Sequence, residues 1–366
     1  MIDQIRPKKV IALFTELNDP AFKGGIQVFN QFVITALQDL NIDVFPLILN
    51  DGHSNDRCIA TKRCGQLFFA CHALLKSCRH KPDVIINGHI GFSPVCILIK
   101  KLLKIPYITI TYGKDVWNLT KAQKMGLKDS FRIFTISNYT RNLIIAQLMD
   151  YPQNQINLLP NALDSERFKP GNRPEALLRK LGLQSTDKII LSVSRLSKSE
   201  KDKGYTKTIA AVKELLGRFP NLKYVLAGSG DDLPRLRNLV KDERLDGVII
   251  LPGFISEEEL PDYYNLCDLF VLPSKKEGFG FVFLEALACG KPVIAGNKDG
   301  SVDAVLGGEL GLLINPDNIT EIKDAIARVL TNDIPQNMRD KDYLRSRVIQ
   351  AYGFDSFKNR LRAILS

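Results

Sequence analysis

Two carboxylates, Glu277 and Glu285, stand with seven residues between them, and the turn Gly278-Phe279-Gly280 follows the first. The turn opens a helical pattern, with Phe283, Leu284 and Leu287 apolar, that ends at Gly290. Lys291-Pro292 stops the helix, and Val293-Ile294-Ala295 begins a strand. The apolar run 269–273 before the carboxylates reads as a buried parallel strand. A glycine turn at a helix start leaves several backbone N–H groups pointing at one spot, which suits a phosphate. Carboxylates repel phosphate, so Glu277 and Glu285 are expected to face uncharged groups that offer hydroxyls, such as a sugar and a ribose.

The elements that must position these groups follow a steady rhythm. Residues 10–14, 44–49, 84–86, 107–111, 133–136 and 156–159 read as strands. Helical stretches lie between them at 26–40, 61–80, 94–103 and 139–149. The second half repeats the alternation, with strands at 189–193, 224–227, 248–251, 269–272, 293–295 and 312–314. This alternation predicts parallel sheets covered on both faces, and 366 residues suffice for two such α/β domains. The joint is expected in the polar, non-periodic stretch 161–174. The last segment, 354–365, is amphipathic.

The order of strand, Glu277, Gly-Phe-Gly, helix with Glu285, and Gly-Lys-Pro-Val-Ile resembles the signature of retaining glycosyltransferases of family 4. The resemblance spans the chain and is stronger after Asn161, where 161–168 resembles the family's Pro-Asn-Gly-Val-Asp…Phe linker with Ala162 at the usual glycine. It implies the α/β GT-B fold, two Rossmann-like domains with parallel sheets facing across a cleft that holds the donor. Residues 1–168 would form the acceptor-side domain, with the C-terminal helix 350–366 packing back on it. Residues 169–349 would bind the nucleotide-sugar donor.

Breaking the bond from an anomeric carbon to a nucleotide diphosphate gathers negative charge on the leaving group. Cations, helix N-termini or a metal must stabilise that charge. Arg195 ends the strand at 189–194 and Lys203-Gly204 opens the next helix, resembling the family's Gly-Arg-Leu…Lys-Gly motif. Ser194 replaces the glycine, and the spacing from Arg195 to Lys203 is longer than usual. By resemblance Arg195 and Lys203 grip the diphosphate, Glu277 lies at the sugar hydroxyls, and Glu285 binds the ribose. Gly278, Phe279 and Gly280 would present backbone N–H groups, and Gly253-Phe254-Ile255 matches the base-contacting loop. In the first half, Gly24-Gly25 precedes a helix and matches the donor-facing loop. Thr111-Tyr-Gly-Lys-Asp115 stands where the family has His-Gly-x-Asp, so Tyr112 occupies the histidine position that reaches the donor sugar. His89, at a strand end, is either an acceptor-side group or a satisfied loop histidine. The one Asp-x-Asp, Asp340-Lys-Asp342, sits in a charged helical stretch rather than after a strand, so no metal site and no resident cofactor are expected.

The activity implied is metal-independent, retaining transfer of a hexose from a uridine or guanosine diphosphate sugar to a hydroxyl acceptor. The alternative is a catalytically weak sugar-nucleotide-binding subunit or sensor. A dinucleotide-dependent oxidoreductase fits poorly, since Gly228-Ser-Gly230 is followed by Leu233 in place of a third glycine. A P-loop is ruled out by the proline after Gly290-Lys291.

Net charge is +10, and residues 1–170 hold 21 Lys/Arg against 13 Asp/Glu. Lys62-Arg63, Lys76, Arg79, Lys81, Lys100-Lys101 and Lys104 supply much of that surplus, as a solvated face or as one that meets anionic lipid or an anionic acceptor. No aromatic residues interleave with these lysines, which argues against nucleic acid. Cys64, Cys71 and Cys78 recur every seven residues and are expected as one buried helical stripe. With no apolar stretch of spanning length and no signal-peptide pattern, a cytoplasmic protein is expected, with peripheral contact on the inner membrane face if the basic surplus meets lipid.

Overall fold

The computed structural model describes residues 6–17, 24–49 and 62–366. The chain folds as two compact units, Met1–Ala162 with Phe354–Ser366, and Leu163–Gly353. In the first, β1 (Lys9–Phe14), β2 (Asp43–Ile48), β3 (Val84–Asn87), β4 (Tyr107–Thr111), β5 (Arg132–Thr135) and β6 (Ile156–Leu158) form a parallel sheet. Its order is β2-β1-β3-β4-β5-β6. The flanking helices are α1 (Gly25–Asp39), α2 (Lys62–His80), α3 (Ser93–Leu103), α4 (Lys121–Asp129) and α5 (Asn138–Gln147). Strands β3 and β4 are buried at every residue, because a parallel sheet covered by helices has no solvent face for polar alternation.

The second unit repeats the plan. Strands β7 (Lys188–Val193), β8 (Leu222–Ala227), β9 (Ile249–Gly253), β10 (Leu269–Leu272), β11 (Val293–Gly296) and β12 (Leu312–Ile314) pair in parallel. Their order is β12-β11-β10-β7-β8-β9. The helices are α6 (Glu175–Leu181), α7 (Tyr205–Leu215), α8 (Leu233–Asp242), α9 (Leu260–Leu266), α10 (Phe281–Ala288), α11 (Ser301–Ala304), α12 (Ile319–Leu330) and α13 (Lys341–Tyr352). Ile209 and Val212 of α7 and Ile322 and Ile326 of α12 meet Ile190 and Leu226 of the sheet in one apolar core. Helix α14 (Phe354–Leu365) belongs to the first unit, where Phe357 meets Phe29 of α1 edge-on at 5.6 Å.

All twelve expected strands are present, within one or two residues at most ends. The expected domain limits shift slightly. Residues 163–168 and 350–353 group with the second unit, because Leu163 donates its N–H to the Tyr352 carbonyl at 2.7 Å and bridges Gly353 in parallel. Arg345 of α13 fastens the same stretch, donating to the carbonyls of Ser165, Phe168 and Ala288 at 2.9, 2.7 and 3.0 Å.

Both sheets reverse their strand order once. The first unit's chain runs from β1 to β2, then returns to place β3 on the other side of β1. The second runs β7-β8-β9, then places β10 on the other side of β7. In open α/β sheets the loops at such a reversal part and leave a crevice at the carboxyl ends of the strands.

The Arg345 hydrogen bonds carry a stability consequence. Arg345→Ala leaves three carbonyls without their charged donor and should cost about 2 kcal/mol, read by denaturant unfolding. A loss below about 0.5 kcal/mol, the level of an ordinary surface substitution, would show that the joint does not rest on this side chain.

Candidate active site

In the second unit the expected residues gather at the carboxyl end of the sheet. Arg195 follows β7, Gly253-Phe254-Ile255 closes β9, and Glu277 to Gly280 follow β10. The loops after β7 and β10 therefore flank the reversal.

Lys203 is positioned by the glycine behind it. Gly204 starts α7 at φ +79°, and a Cβ there would fall 2.2 Å from the Pro273 carbonyl oxygen. Only glycine permits both that backbone and that approach, which seats the start of α7 against the end of β10. The seating puts the Lys203 ammonium on the Glu277 carboxylate, with 18% and 19% of their side chains exposed. Burial opposes the Lys203 charge, but Glu277, helped by Glu200 and Asp299, outweighs it and holds the ammonium above the ordinary lysine value.

The backbone of Glu277 is held by Asp299, a residue with no place in the sequence reading. The buried Asp299 carboxylate accepts from the Glu277 N–H at 2.7 Å, the Ser274 hydroxyl at 2.8 Å and the Ser301 N–H at 3.0 Å. Burial pushes its carboxyl above the usual range against those hydrogen bonds. Next to it, the Gly300 N–H donates to the Glu277 carbonyl at 2.9 Å. The only local signal is an Asp-Gly-Ser run after a strand, and the Ser274 and Glu277 partners lie more than twenty residues away.

Gly278, Phe279 and Gly280 share this cradle. The Phe279 ring is buried and meets Tyr352 edge-on at 5.2 Å, so it is the backbone of this turn that faces the crevice. Gly280 caps α10 at φ +98°, and the N–H groups of Gly278, Phe279 and Gly280 donate to no acceptor among the described residues. Glu285, one turn into α10, is half-buried and accepts the Tyr264 hydroxyl at 2.6 Å. Burial pushes its carboxyl up to about 7, with the Tyr264 bond and Arg167 pulling the other way. Tyr264 likewise has no place in the sequence reading, because it lies 21 residues from the carboxylate it meets.

Arg195 is exposed, 3.8 Å from Glu200. Its loop is tied to the end of β8. Leu196 donates to the Ser229 carbonyl at 2.9 Å and accepts from the Asp232 N–H at 2.9 Å. A Cβ at Gly228 or Gly230 would fall 1.8 Å from the Ser194 oxygen or 2.2 Å from that of Leu196. The glycine pair that resembled part of a dinucleotide fingerprint thus admits the arginine loop. Gly253 sits at φ +84°, followed by Phe254, whose ring is 55% exposed and free to stack on a flat partner. Asp340 of the Asp-x-Asp caps α13 through the N–H groups of Asp342 and Tyr343, each at 3.0 Å.

In the first unit, Gly24 lies at the start of α1 on the loop after β1, and His89 follows β3, on either side of that sheet's reversal. The Gly24 N–H is taken by Gln27 Oε1 at 2.5 Å, which leaves Gly25 as the neighbour whose N–H opens the helix. His89 Nδ1 accepts the Gly91 N–H at 3.1 Å, and burial lowers its pKa, which favours a neutral ring with its proton on Nε2. Tyr112, after β4, is 8% exposed and donates its hydroxyl to Asn30 of α1 at 2.6 Å. Its N–H donates to Asp115 Oδ1 at 2.9 Å, while Asp115 Oδ2 is buried with no partner among the described residues. Burial pushes the Asp115 carboxyl up to about 6.

One expectation is reversed. Cys71 and Cys78 are exposed, so the cysteine stripe of α2 faces outward, and the buried face is formed instead by Phe69, Ala73 and Ser77. Cys58 and the Cys64 side chain lie outside the described residues.

Residues 174–345 match the profile of the family described as Glycosyl transferases group 1. The GDP-mannose-dependent alpha-(1-6)-phosphatidylinositol monomannoside mannosyltransferase of Mycobacterium tuberculosis is 30% identical over 232 residues, 60% of this chain and 59% of that protein. The D-inositol 3-phosphate glycosyltransferase of Corynebacterium jeikeium is 34% identical over 187 residues, 49% of this chain and 44% of its own. The chain thus spans less than two thirds of the length of either relative. HepE of Anabaena, solved in complex with UDP, superposes with a TM-score of 0.75 at 18% identity, covering 98% of this chain and 99% of its own. Sucrose-phosphate synthase of Thermosynechococcus elongatus reaches 0.77 at 20% identity, covering 97% and 98%. At such identities the likeness carries the fold alone, and the fold is GT-B with two Rossmann-like units.

The close packing at Gly300 can be tested directly. A Cβ there would fall 2.1 Å from the Gly278 carbonyl oxygen. Gly300→Ala should therefore displace the Glu277 loop and destabilise the protein by about 2 kcal/mol, as overpacking does, measured by chemical denaturation. An unchanged midpoint would show that the loop yields freely.

Proposed function

We propose that the protein is a retaining, metal-independent glycosyltransferase that moves a hexose from a nucleotide diphosphate sugar to a hydroxyl acceptor. The observation that carries this reading is the Lys203–Glu277 pair at the sheet reversal, beside a glycine turn with uncommitted N–H groups. The match of residues 174–345 to group 1 glycosyl transferases and the GT-B fold support it.

In this reading the donor diphosphate lies against Lys203, Arg195 and the start of α10. As the bond from the anomeric carbon to the phosphate oxygen breaks, both electrons leave with the diphosphate. The two cations and the helix N-terminus stabilise that charge. The acceptor oxygen bonds to the anomeric carbon on the same face, and its proton passes to an oxygen of the departing phosphate. Glu277 accepts hydroxyls of the sugar and keeps Lys203 protonated in a site poor in water. Glu285 accepts the ribose hydroxyls, and Phe254 offers its ring to the base. Both uridine and guanosine fit so plain a base contact. No resident cofactor is required.

A second reading, a sugar-nucleotide-binding subunit with little turnover, draws on one observation. Tyr112 stands at the family's histidine position with its hydroxyl proton committed to Asn30. Release of nucleoside diphosphate from a panel of UDP- and GDP-sugars, with and without sugar and glycolipid acceptors, separates the two. Acceptor-stimulated release supports transfer; binding without release supports the subunit.

Two expectations follow for the carboxylates and cations. Glu277→Gln and Arg195→Ala should lower turnover about tenfold to a thousandfold, while Glu285→Ala should chiefly weaken nucleoside diphosphate binding. Activity should persist in chelator; complete loss restored by a divalent ion would remove the cationic mechanism.

The second concerns pH. With its carboxyl near 7, Glu285 becomes protonated as pH falls from 8 to 6 and then can no longer accept both ribose hydroxyls. Nucleotide affinity should therefore fall about tenfold across that range, and Glu285→Gln should abolish the difference. Equal pH dependence in wild type and Glu285→Gln would assign the titration elsewhere.

A further inference from the structure

Helices α2 and α3 of the first unit carry none of the residues assigned above to the donor. Between Arg57 and Lys114 the sequence holds ten Lys/Arg and a single acid, Asp83. That acid is turned to its own chain, where its carboxylate accepts the N–H groups of Lys8 and Lys9 at 2.7 and 2.9 Å. Neither α2 nor α3 contains an Asp or Glu.

The outward side of α2 is apolar as well as acid-free. Leu67, Phe68 and Leu75 are 67%, 73% and 68% exposed. At 100° per residue, Phe68, Cys71, Leu75 and Arg79 fall on one strip, opposite the buried Phe69, Ala73 and Ser77. Helix α3 packs beside α2 and exposes Leu98 and Leu102, 44% and 60%. Lys76, Arg79, Lys101 and Lys104 border these side chains and form no ion pair among the described residues, whereas Lys100 is tied to Asp129 at 3.0 Å.

We propose that the outward face of α2, continued by the end of α3, docks on an anionic lipid bilayer. Large apolar side chains left in water along a helix need a cover, and charges of one sign around them need counter-charges. A bilayer with anionic headgroups meets both needs on one surface. Phe68, Leu67 and Leu75 enter the boundary of the acyl layer, and Lys76, Arg79, Lys101 and Lys104 lie among the headgroups. Either kind of contact alone is weak, so docking requires both.

Co-sedimentation with vesicles tests this, comparing phosphatidylglycerol mixed with phosphatidylcholine against phosphatidylcholine alone. The wild-type protein should sediment with the anionic vesicles and leave them as salt rises from about 0.1 M to about 0.5 M. The double variant F68D/L75D should lose binding about tenfold or more, and so should K76Q/R79Q/K101Q/K104Q. Melting temperature and the thermal shift produced by UDP or GDP, read on each variant, show that the fold is kept. Equal partitioning to both vesicle types, or undiminished binding by F68D/L75D, would overturn the proposal. A wild-type dimer in size-exclusion chromatography with light scattering that F68D/L75D dissociates would also overturn it, by assigning the face to a second copy.

Discussion

The second unit is organised around one costly arrangement, a lysine and a glutamate held together with little water at the point where β7 and β10 part. Neither charge would be tolerated there alone, because removing an ion from water costs several kcal/mol unless a partner compensates. The surrounding structure is what keeps the partners in reach. Gly204 lets α7 begin against Pro273, Asp299 grips the backbone of Glu277, and Gly300 leaves room for the carbonyl of Gly278. A larger residue at either glycine would press on backbone that cannot step aside.

The two carboxylates of the signature live in different surroundings, and this is the ground for the separate roles proposed for them. Glu277 faces an ammonium and stays with it. Glu285 faces the Tyr264 hydroxyl instead of a cation, and there burial lifts its carboxyl to about 7. A group paired with a cation suits a site that must hold charge steady while a diphosphate leaves. A carboxylate near its own titration point suits a neutral partner with hydroxyls, because nothing there demands a fixed charge.

Much of the fold was legible because parallel strands buried on both faces write themselves as short apolar runs between helical stretches. The strand pattern and the Glu277-to-Gly280 turn are local and could be read directly. What was not legible depends on packing across the sheet. Asp299 and Tyr264 reach the signature from 22 and 21 residues away, and no spacing rule points from one to the other. Gly228 and Gly230 form only an incomplete dinucleotide fingerprint in the sequence, and it takes the packed structure to show that their absent side chains make room for the loop of Arg195. The cysteine stripe was misplaced because helical periodicity shows that residues share a face without showing which face is covered. Tyr112 could be placed at its motif position, whereas its bond to Asn30 on α1 required the packed structure.

The central claim is that Lys203 and Glu277 mark a site for a nucleotide diphosphate. Calorimetric titration of UDP and of GDP into the wild-type protein and into Lys203→Met tests it most directly. At least one nucleotide should bind the wild type, and its affinity should drop about tenfold or more when the cation is removed, as for loss of a charge-assisted contact. Failure of both nucleotides to bind, or equal affinity for the variant, would contradict the account.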